Sequence, residues 1–177
     1  MKLILIVGPS GSGKDTLLRA VRQRFSCSSS LDFVRRYITR PPDNNEDNYY
    51  VDRSCFKVLK YNGFFVSDWQ AHGNEYGIPR NVISRSNGYQ RLLCSVSRGA
   101  IGDFEQFYDD VTVLQVTASK DVLRKRLQGR GRENLEDIEK RLARAEHPVH
   151  ARDLICFDNS HSLEQSQRDF ICLLEKL

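Results

Sequence analysis

The stretch Gly8-Pro9-Ser10-Gly11-Ser12-Gly13-Lys14-Asp15-Thr16 decides the fold of this 177-residue chain. Two glycines separated by four residues, Gly8 and Gly13, followed by a lysine, make a loop that cradles phosphate. The apolar run Leu3 to Val7 ahead of it reads as a buried strand, and Leu17, Leu18, Val21 and Phe25 behind it fall on one face of a helix. Between strand and helix, glycine permits positive φ and close approach, so successive N–H groups converge on phosphate oxygens at the helix N-terminus. Lys14 is placed to reach the β and γ phosphates. The whole loop from Gly8 to Thr16 is therefore a candidate nucleotide site.

Asp15 departs from the usual pattern, in which a Ser or Thr places its hydroxyl on Mg²⁺. A carboxylate there can take the ion directly or through water. Alternatively it only favours the helix dipole from the first turn, and Thr16 or water serves the metal.

The mass of 20.4 kDa and a hydrophobic fraction of 40% suit one domain with a sizeable core. No run approaches the ~18 apolar residues of a membrane span. Met1 leads directly into the first strand without a signal or transit peptide, so the expected compartment is the cytoplasm. Five cysteines without a C-x-x-C pair suit reduced thiols better than a disulfide framework or zinc site. His147 and His150 have no acidic or cysteine partner beside them at ligand spacing.

The net charge of +4 is mild, but arginines gather at Arg35, Arg36 and Arg40, and again at Arg124, Arg126, Arg130, Arg132, Arg141 and Arg144. No aromatic strand motif or helix-turn-helix pattern accompanies them, which argues against nucleic acid. Two separate clusters fit a polyanionic small molecule. For Arg141 a solvated helix face is the competing reading, because Asp137 lies four residues before it.

Beyond the first strand and helix, Phe33–Ile38, Arg91–Val96, Val111–Val116 and Leu154–Phe157 read as strands. Helices are expected near 98–108, 119–128 and 134–146, and Ser162-x-x-Gln165 opens a last one. Apolar strands alternating with helices predict an α/β fold, a central parallel sheet of about five strands with helices on both faces. Ligands then bind at the carboxyl ends of the strands. Residues 40–80 are rich in Pro, Asn, Asp and aromatics, too long for a loop, and predict an inserted subdomain with strand pieces at Tyr49–Val51 and Phe64–Trp69. The turn Gly129-Arg130-Gly131-Arg132-Glu133 looks like a lid carrying arginines, spanning about 129–135. The expected organisation is one P-loop kinase domain, with a core of 1–39 and 81–177.

No N-K-x-D or D-x-x-G motif of a GTPase occurs, and Leu92–Val96 lacks the terminal aspartate of motor ATPases. What remains is phosphoryl transfer, done by positioning, charge neutralisation and exclusion of water.

The loop, Tyr37-Ile38-Thr39-Arg40, Glu46, Phe65–Ile78 with His72-Gly73-Asn74-Glu75-Tyr76-Gly77, and the run Leu123–Ala145 together resemble a guanylate-kinase-type P-loop kinase over nearly the whole chain. The resemblance implies ATP as donor with Mg²⁺, Lys14, Arg130 and Arg141 as catalytic cations, and Asn159 beside adenine. It puts Arg40, Glu46 and Tyr76 on the acceptor side. The departures narrow the acceptor. Asp43 stands near a second acceptor arginine of the family, Gln70 replaces its guanine-reading glutamate, Ile78 replaces a threonine, and Ser95 and Ser97 lie where it has an acidic pair. Guanine presents N–H donors that carboxylates accept, so their loss disfavours guanine.

Asp15, Arg36–Arg40, Trp69-Gln70-Ala71-His72-Gly73-Asn74, Ser97-Arg98 and Gly129–Asn134 are similar to the ribose 1,5-bisphosphate phosphokinase family of phosphonate-degrading bacteria. That resemblance implies transfer of the γ-phosphoryl of ATP to the 1-phosphate of ribose 1,5-bisphosphate, giving 5-phospho-α-D-ribose 1-diphosphate. A phosphate oxygen is already ionised and needs no general base. Such an acceptor needs cations, and Arg36, Arg40, Arg80 and Arg98 are available. Gln70, His72 and Tyr76 complete the acceptor-side candidates, although His72 and Tyr76 could equally be structural, and Trp69 is expected to pack the subdomain. The alternatives are a guanylate or other nucleoside monophosphate kinase, and an inactive binding module. Modules of that kind commonly lose the loop lysine, which is intact here.

Overall fold

A computed structural model describes residues 2–41, 48–82, 90–129 and 134–177. The chain is α/β with a P-loop kinase fold, whose central parallel sheet has five strands: β1 (Lys2–Val7), β2 (Leu31–Phe33), β7 (Arg91–Ser95), β8 (Val111–Thr117) and β9 (Leu154–Asp158), in the order β2-β7-β1-β8-β9. The middle strand is the most apolar, and Leu3 to Val7 are all buried. A strand covered on both faces has no polar side to offer, which is why its sequence does not alternate. Two compact units divide the chain, one formed by 1–5 with 28–112 and the other by 6–27 with 113–177.

The second unit carries the phosphate loop, α1 (Lys14–Arg24), β8, α4 (Lys120–Gly129), α5 (Leu135–Ala145), β9 and α6 (Leu163–Lys176). The register Val113↔Leu154 to Thr117↔Asp158 brings Asn159, just after β9, against the end of β8, where its N–H donates to Thr117 O at 2.8 Å. Helices α4 and α5 bury Leu123, Leu127, Ile138 and Leu142 against each other. Each such side chain contributes about 1.5–3 kcal/mol by leaving water. Asn134 caps α5 by accepting from Asp137 N at 2.8 Å, and Ser162 caps α6 through Gln165 N, the predicted helix start.

The first unit adds a four-stranded sheet of order β4-β3-β6-β5, from β3 (Tyr37–Ile38), β4 (Tyr49–Tyr50), β5 (Phe65–Ala71) and β6 (Asn74–Pro79), with α2 (Arg53–Tyr61) and α3 (Ile101–Phe107). The expected strand Phe33–Ile38 is corrected here. After Val34 N bonds Leu93 O at 2.8 Å the chain leaves the central sheet, and Tyr37–Ile38 pairs instead with Gly77 and Tyr76. The cause is Arg35-Arg36, since charged side chains do not fit a strand covered on both faces. Helix α2 and strand β6 were not foreseen. Asp52 does signal α2, accepting from Cys55 N at 2.8 Å, whereas Gly77 and Pro79 disguised β6.

Strands β5 and β6 join through His72 and Gly73, both at positive φ (51° and 75°). The pairs Trp69↔Tyr76 and Gln70↔Glu75 fix which side chains share a face. One face bears Ser67, Trp69, Tyr76 and Ile78, the β3 register adds Ile38 to it, and Arg36 lies over its Tyr76 ring. The other face holds an aromatic cluster of Tyr37, Tyr49, Phe64 and Phe65, with Phe56 of α2 stacked on Phe65 at 4.7 Å. Among the described residues no helix is long and apolar enough to cross a membrane.

Candidate active site

The donor half is built from backbone. Gly8 has φ 151°, and a Cβ there would lie 2.2 Å from the carbonyl oxygen of Val116 on β8, so no other residue fits between loop and strand. Gly13, the residue before α1, is left-handed at φ 88°, and a Cβ on it would meet Asn159 Nδ2 at 2.3 Å. The first helical bond is Leu17 N to Gly13 O at 3.1 Å, which leaves the amides of Lys14, Asp15 and Thr16 without a helical acceptor. Those N–H groups and the positive end of the helix form an anion site.

Two side chains brace the loop from behind. Asn159, 5% exposed, donates from Nδ2 to Ser12 O at 2.6 Å. Arg126 of α4 donates to Gly11 O at 3.5 Å, Ser12 O at 3.4 Å and Asn159 O at 2.9 Å. In a trans peptide the carbonyl and the following N–H point in opposite directions. Tying Ser12 O to Asn159 and Arg126 therefore aims Gly13 N–H away from them, toward the anion site. Ser12 Oγ is buried and has no hydrogen-bond partner among the described residues. A buried hydroxyl without a partner is costly, and phosphate oxygen would satisfy it. Lys14 folds over the loop, its Nζ 2.7 Å from Gly8 O and 3.0 Å from Pro9 O. Pro9 and Ser10 form the half-buried rim, and Asp15 and Thr16 are exposed on the first turn of α1.

Asn159, expected beside adenine, thus commits its amide to the loop. Arg126 was counted only as one of a basic cluster, and its position, two turns along an ordinary amphipathic helix, gave no signal of this contact. Arg141 lies half-buried on α5. Nearby, Arg124 pairs with Glu139 at 3.0 Å, and the Lys120 ammonium, 2.8 Å from Glu146, holds that carboxyl below its ordinary pKa. Arg130 and the rest of the turn through Glu133 lie outside the described residues, as do Glu46 and Asp43.

The acceptor half, in the other unit, is built from side chains. Arg36 lies over the Tyr76 ring, 5.8 Å from its centroid, and is oriented by Asn48, whose Oδ1 accepts from Nε at 3.1 Å. Tyr76 in turn stacks on Trp69, centroids 5.6 Å apart and planes 4° from parallel. Arg40 lies in the bend after β3, where its Nη1 donates to Pro41 O at 3.5 Å, and Arg98 opens the short 3₁₀ turn (Arg98–Ala100) that packs against β5. Ser67 Oγ donates to Asp103 Oδ2 at 2.6 Å, so that carboxylate is engaged. Asp68 is paired with Lys60. Burial of Cys94 on β7 pushes its thiol up to about 12, with Arg36 opposing weakly, so it stays a neutral packing group.

Arg36 and Tyr76 therefore come together on one face of the small sheet, with Arg40 in the bend after β3 and Arg98 on the turn packed against β5. Gln70 and His72 do not join them. Gln70 pairs with Glu75 on the opposite face, and both line a hollow of about 540 Å³ with Arg53, Lys57 and His72. Arg80, named from the sequence as an available cation, donates to Gly63 O at 2.8 Å and lies over Phe107, a structural engagement.

The guanylate kinase family profile matches residues 1–171. A protein of Rhizobium etli named ribose 1,5-bisphosphate phosphokinase PhnN is 39% identical over 180 residues, covering 99% of this chain and 90% of its own. One of the same name from Azotobacter vinelandii is 39% identical over 177 residues, covering 99% and 96%. Among solved structures, the guanylate kinase of Anaplasma phagocytophilum superposes with a TM-score of 0.65 at 20% identity, covering 99% of this chain and 85% of that one, and shares the fold. The chain belongs to the guanylate kinase family, and within it is 39% identical along nearly its whole length to proteins named ribose 1,5-bisphosphate phosphokinase.

Proposed function

We propose that this kinase transfers the γ-phosphoryl group of ATP to the 1-phosphate of ribose 1,5-bisphosphate, forming 5-phospho-α-D-ribose 1-diphosphate and ADP. The observation that carries the reading is the acceptor face, where Arg36 and the aromatic pair share one side of the sheet while the residue at the guanine-reading position, Gln70, faces the other way. A bisphosphate needs cations and a sugar-sized surface; guanine needs carboxylates. The relatives named ribose 1,5-bisphosphate phosphokinase support the same acceptor.

An oxygen of the acceptor's 1-phosphate attacks the γ-phosphorus, the bond to the β,γ-bridging oxygen breaks, and ADP leaves with that electron pair. No proton has to be removed from the nucleophile. The chain's part is to fix geometry and match charge. The loop amides and Lys14 hold the β and γ phosphates, Arg130 and Arg141 neutralise the transferring group, and Arg36, Arg40 and Arg98 hold the acceptor phosphates, with Tyr76 beside Arg36. In this reading residues 40–80 serve the acceptor, and the turn near 129–135 covers the donor phosphates. Asp15 would hold Mg²⁺ directly or through water, and the ion would supply positive charge to offset that of the phosphates. Dependence on ATP suits the cytoplasm.

A coupled ADP-release assay across acceptors tests the reading. Turnover with ribose 1,5-bisphosphate and little with GMP or ribose 5-phosphate is expected; turnover with GMP and none with the bisphosphate overturns it. Asp15→Ser is expected to shift the Mg²⁺ dependence of the rate while leaving the acceptor KM unchanged. An unaltered metal profile would restrict Asp15 to the helix dipole.

A further inference from the structure

The small sheet keeps its packing aromatics on one face. Tyr37, Tyr49, Phe64 and Phe65 crowd together there with Phe56 of α2. Trp69 and Tyr76 stand on the other face, with Arg36. Their placement is therefore not needed to close the aromatic core. Tyr76 is 9% exposed, clamped between the guanidinium and the indole, whereas Trp69 is only half-buried. Neither the indole N–H nor the Tyr76 hydroxyl is among the buried polar atoms left unpaired, so each is open to solvent and to a hydrogen-bond partner from a ligand. Buried or half-buried Trp and Tyr usually find one.

An indole with a partly open surface, an unused donor at its edge and an arginine one ring away has a specific chemical complement. A furanose ring presents C–H groups on a face and hydroxyls around its rim, so it can lie on an aromatic plane while its oxygens accept from the N–H. A phosphate on the same sugar then falls to Arg36. We propose that Trp69 is the platform for the acceptor's sugar ring and so a specificity-determining residue, selecting a ribosyl phosphate by its carbohydrate body rather than by a base. The assignment rests on the acceptor reading above and adds to it a residue that recognises neither phosphate nor nucleotide.

Trp69 is the one tryptophan of the chain, so its emission reports this position without labelling. The wild-type protein is titrated with ribose 1,5-bisphosphate without nucleotide, and acrylamide quenching of the emission is measured at each concentration. Saturable protection from acrylamide is expected with the bisphosphate and none with inorganic phosphate or pyrophosphate. Trp69→Leu should raise the acceptor KM about tenfold, the scale of one lost aromatic stack, with kcat and the ATP KM little changed. Trp69→Phe should recover part of that loss. If the enzyme turns over the bisphosphate while acrylamide quenching is unmoved, or if inorganic phosphate protects equally, the platform is refuted and the activity stands. If the bisphosphate gives neither turnover nor protection, both readings fall. Should Trp69→Leu not fold, the wild-type quenching experiment still decides.

Discussion

In the proposed reaction the phosphate loop and the acceptor sheet bind the same chemical group in opposite ways. In the loop the ligands are backbone amides, so side chains are either absent, as at Gly8 and Gly13, or recruited behind the loop, as Asn159 and Arg126 are. On the sheet the ligands are side chains, and the backbone only sets their register through pairs such as Ile38↔Tyr76 and Trp69↔Tyr76. A backbone site tolerates almost no added atom, because nothing in it can rotate away. A side-chain site tolerates change one residue at a time, which lets an acceptor be exchanged on an unchanged donor site.

The largest expected effect comes from breaking the donor half alone. Gly13→Ala would place a methyl 2.3 Å from Asn159 Nδ2 at a φ of 88°, so either the brace moves or the loop does. Both outcomes spoil the aim of the amides, and kcat/KM for ATP should fall about two to three orders of magnitude, as when a preorganised donor is lost. Acceptor binding measured by calorimetry should stay within error. A parallel loss of acceptor binding would mean that the two halves are not built independently.

The same contrast explains what could be read in advance. The candidate donor site occupies nine consecutive residues, Gly8 to Thr16, and its signal is local, so spacing alone was enough to propose it. The proposed acceptor site draws on Arg36, Trp69, Tyr76 and Arg98, on a sheet with strands as short as two residues. Strands that short carry no hydrophobic period, and a one-residue change of register moves every side chain to the other face. Gln70 shows the consequence, since its identity was informative while its direction depended on pairing with Glu75. Asn159 and Arg126 were illegible for another reason. Their role is a contact with main-chain carbonyls, and carbonyls have no residue type.

Cys94 tests how firmly the acceptor unit's floor is packed. Its thiol is held neutral up to about pH 12 in the folded chain, against an ordinary 9.0. Above pH 9 the unfolded state loses this proton and the folded state keeps it, so stability is complete below 9 and declines as pH rises toward 12. From pH 9 to 10 the loss is about 1 kcal/mol, seen as a fall in denaturation midpoint that Cys94→Ala does not share. In native protein a thiol reagent should label the exposed Cys27, Cys55, Cys156 and Cys172 rapidly and reach Cys94 only on unfolding. Rapid labelling of all five would show that β7 opens in the native state.

The smallest effect sharpens the comparison from the opposite side. Gly102 lies in α3 of the acceptor unit, exposed, with nothing within 4 Å of a Cβ placed on it and no positive φ. There the freedom that Gly8 and Gly13 require serves no contact and only adds entropy to the unfolded chain. Gly102→Ala should therefore stabilise the protein by about 0.5–1 kcal/mol, leaving both KM values unchanged. If thermal denaturation shows no gain, or the acceptor KM rises, then α3 moves during binding and its glycine is functional. An Ala tolerated at 102 and not at 13 would trace the difference between the two glycines to what each backbone touches.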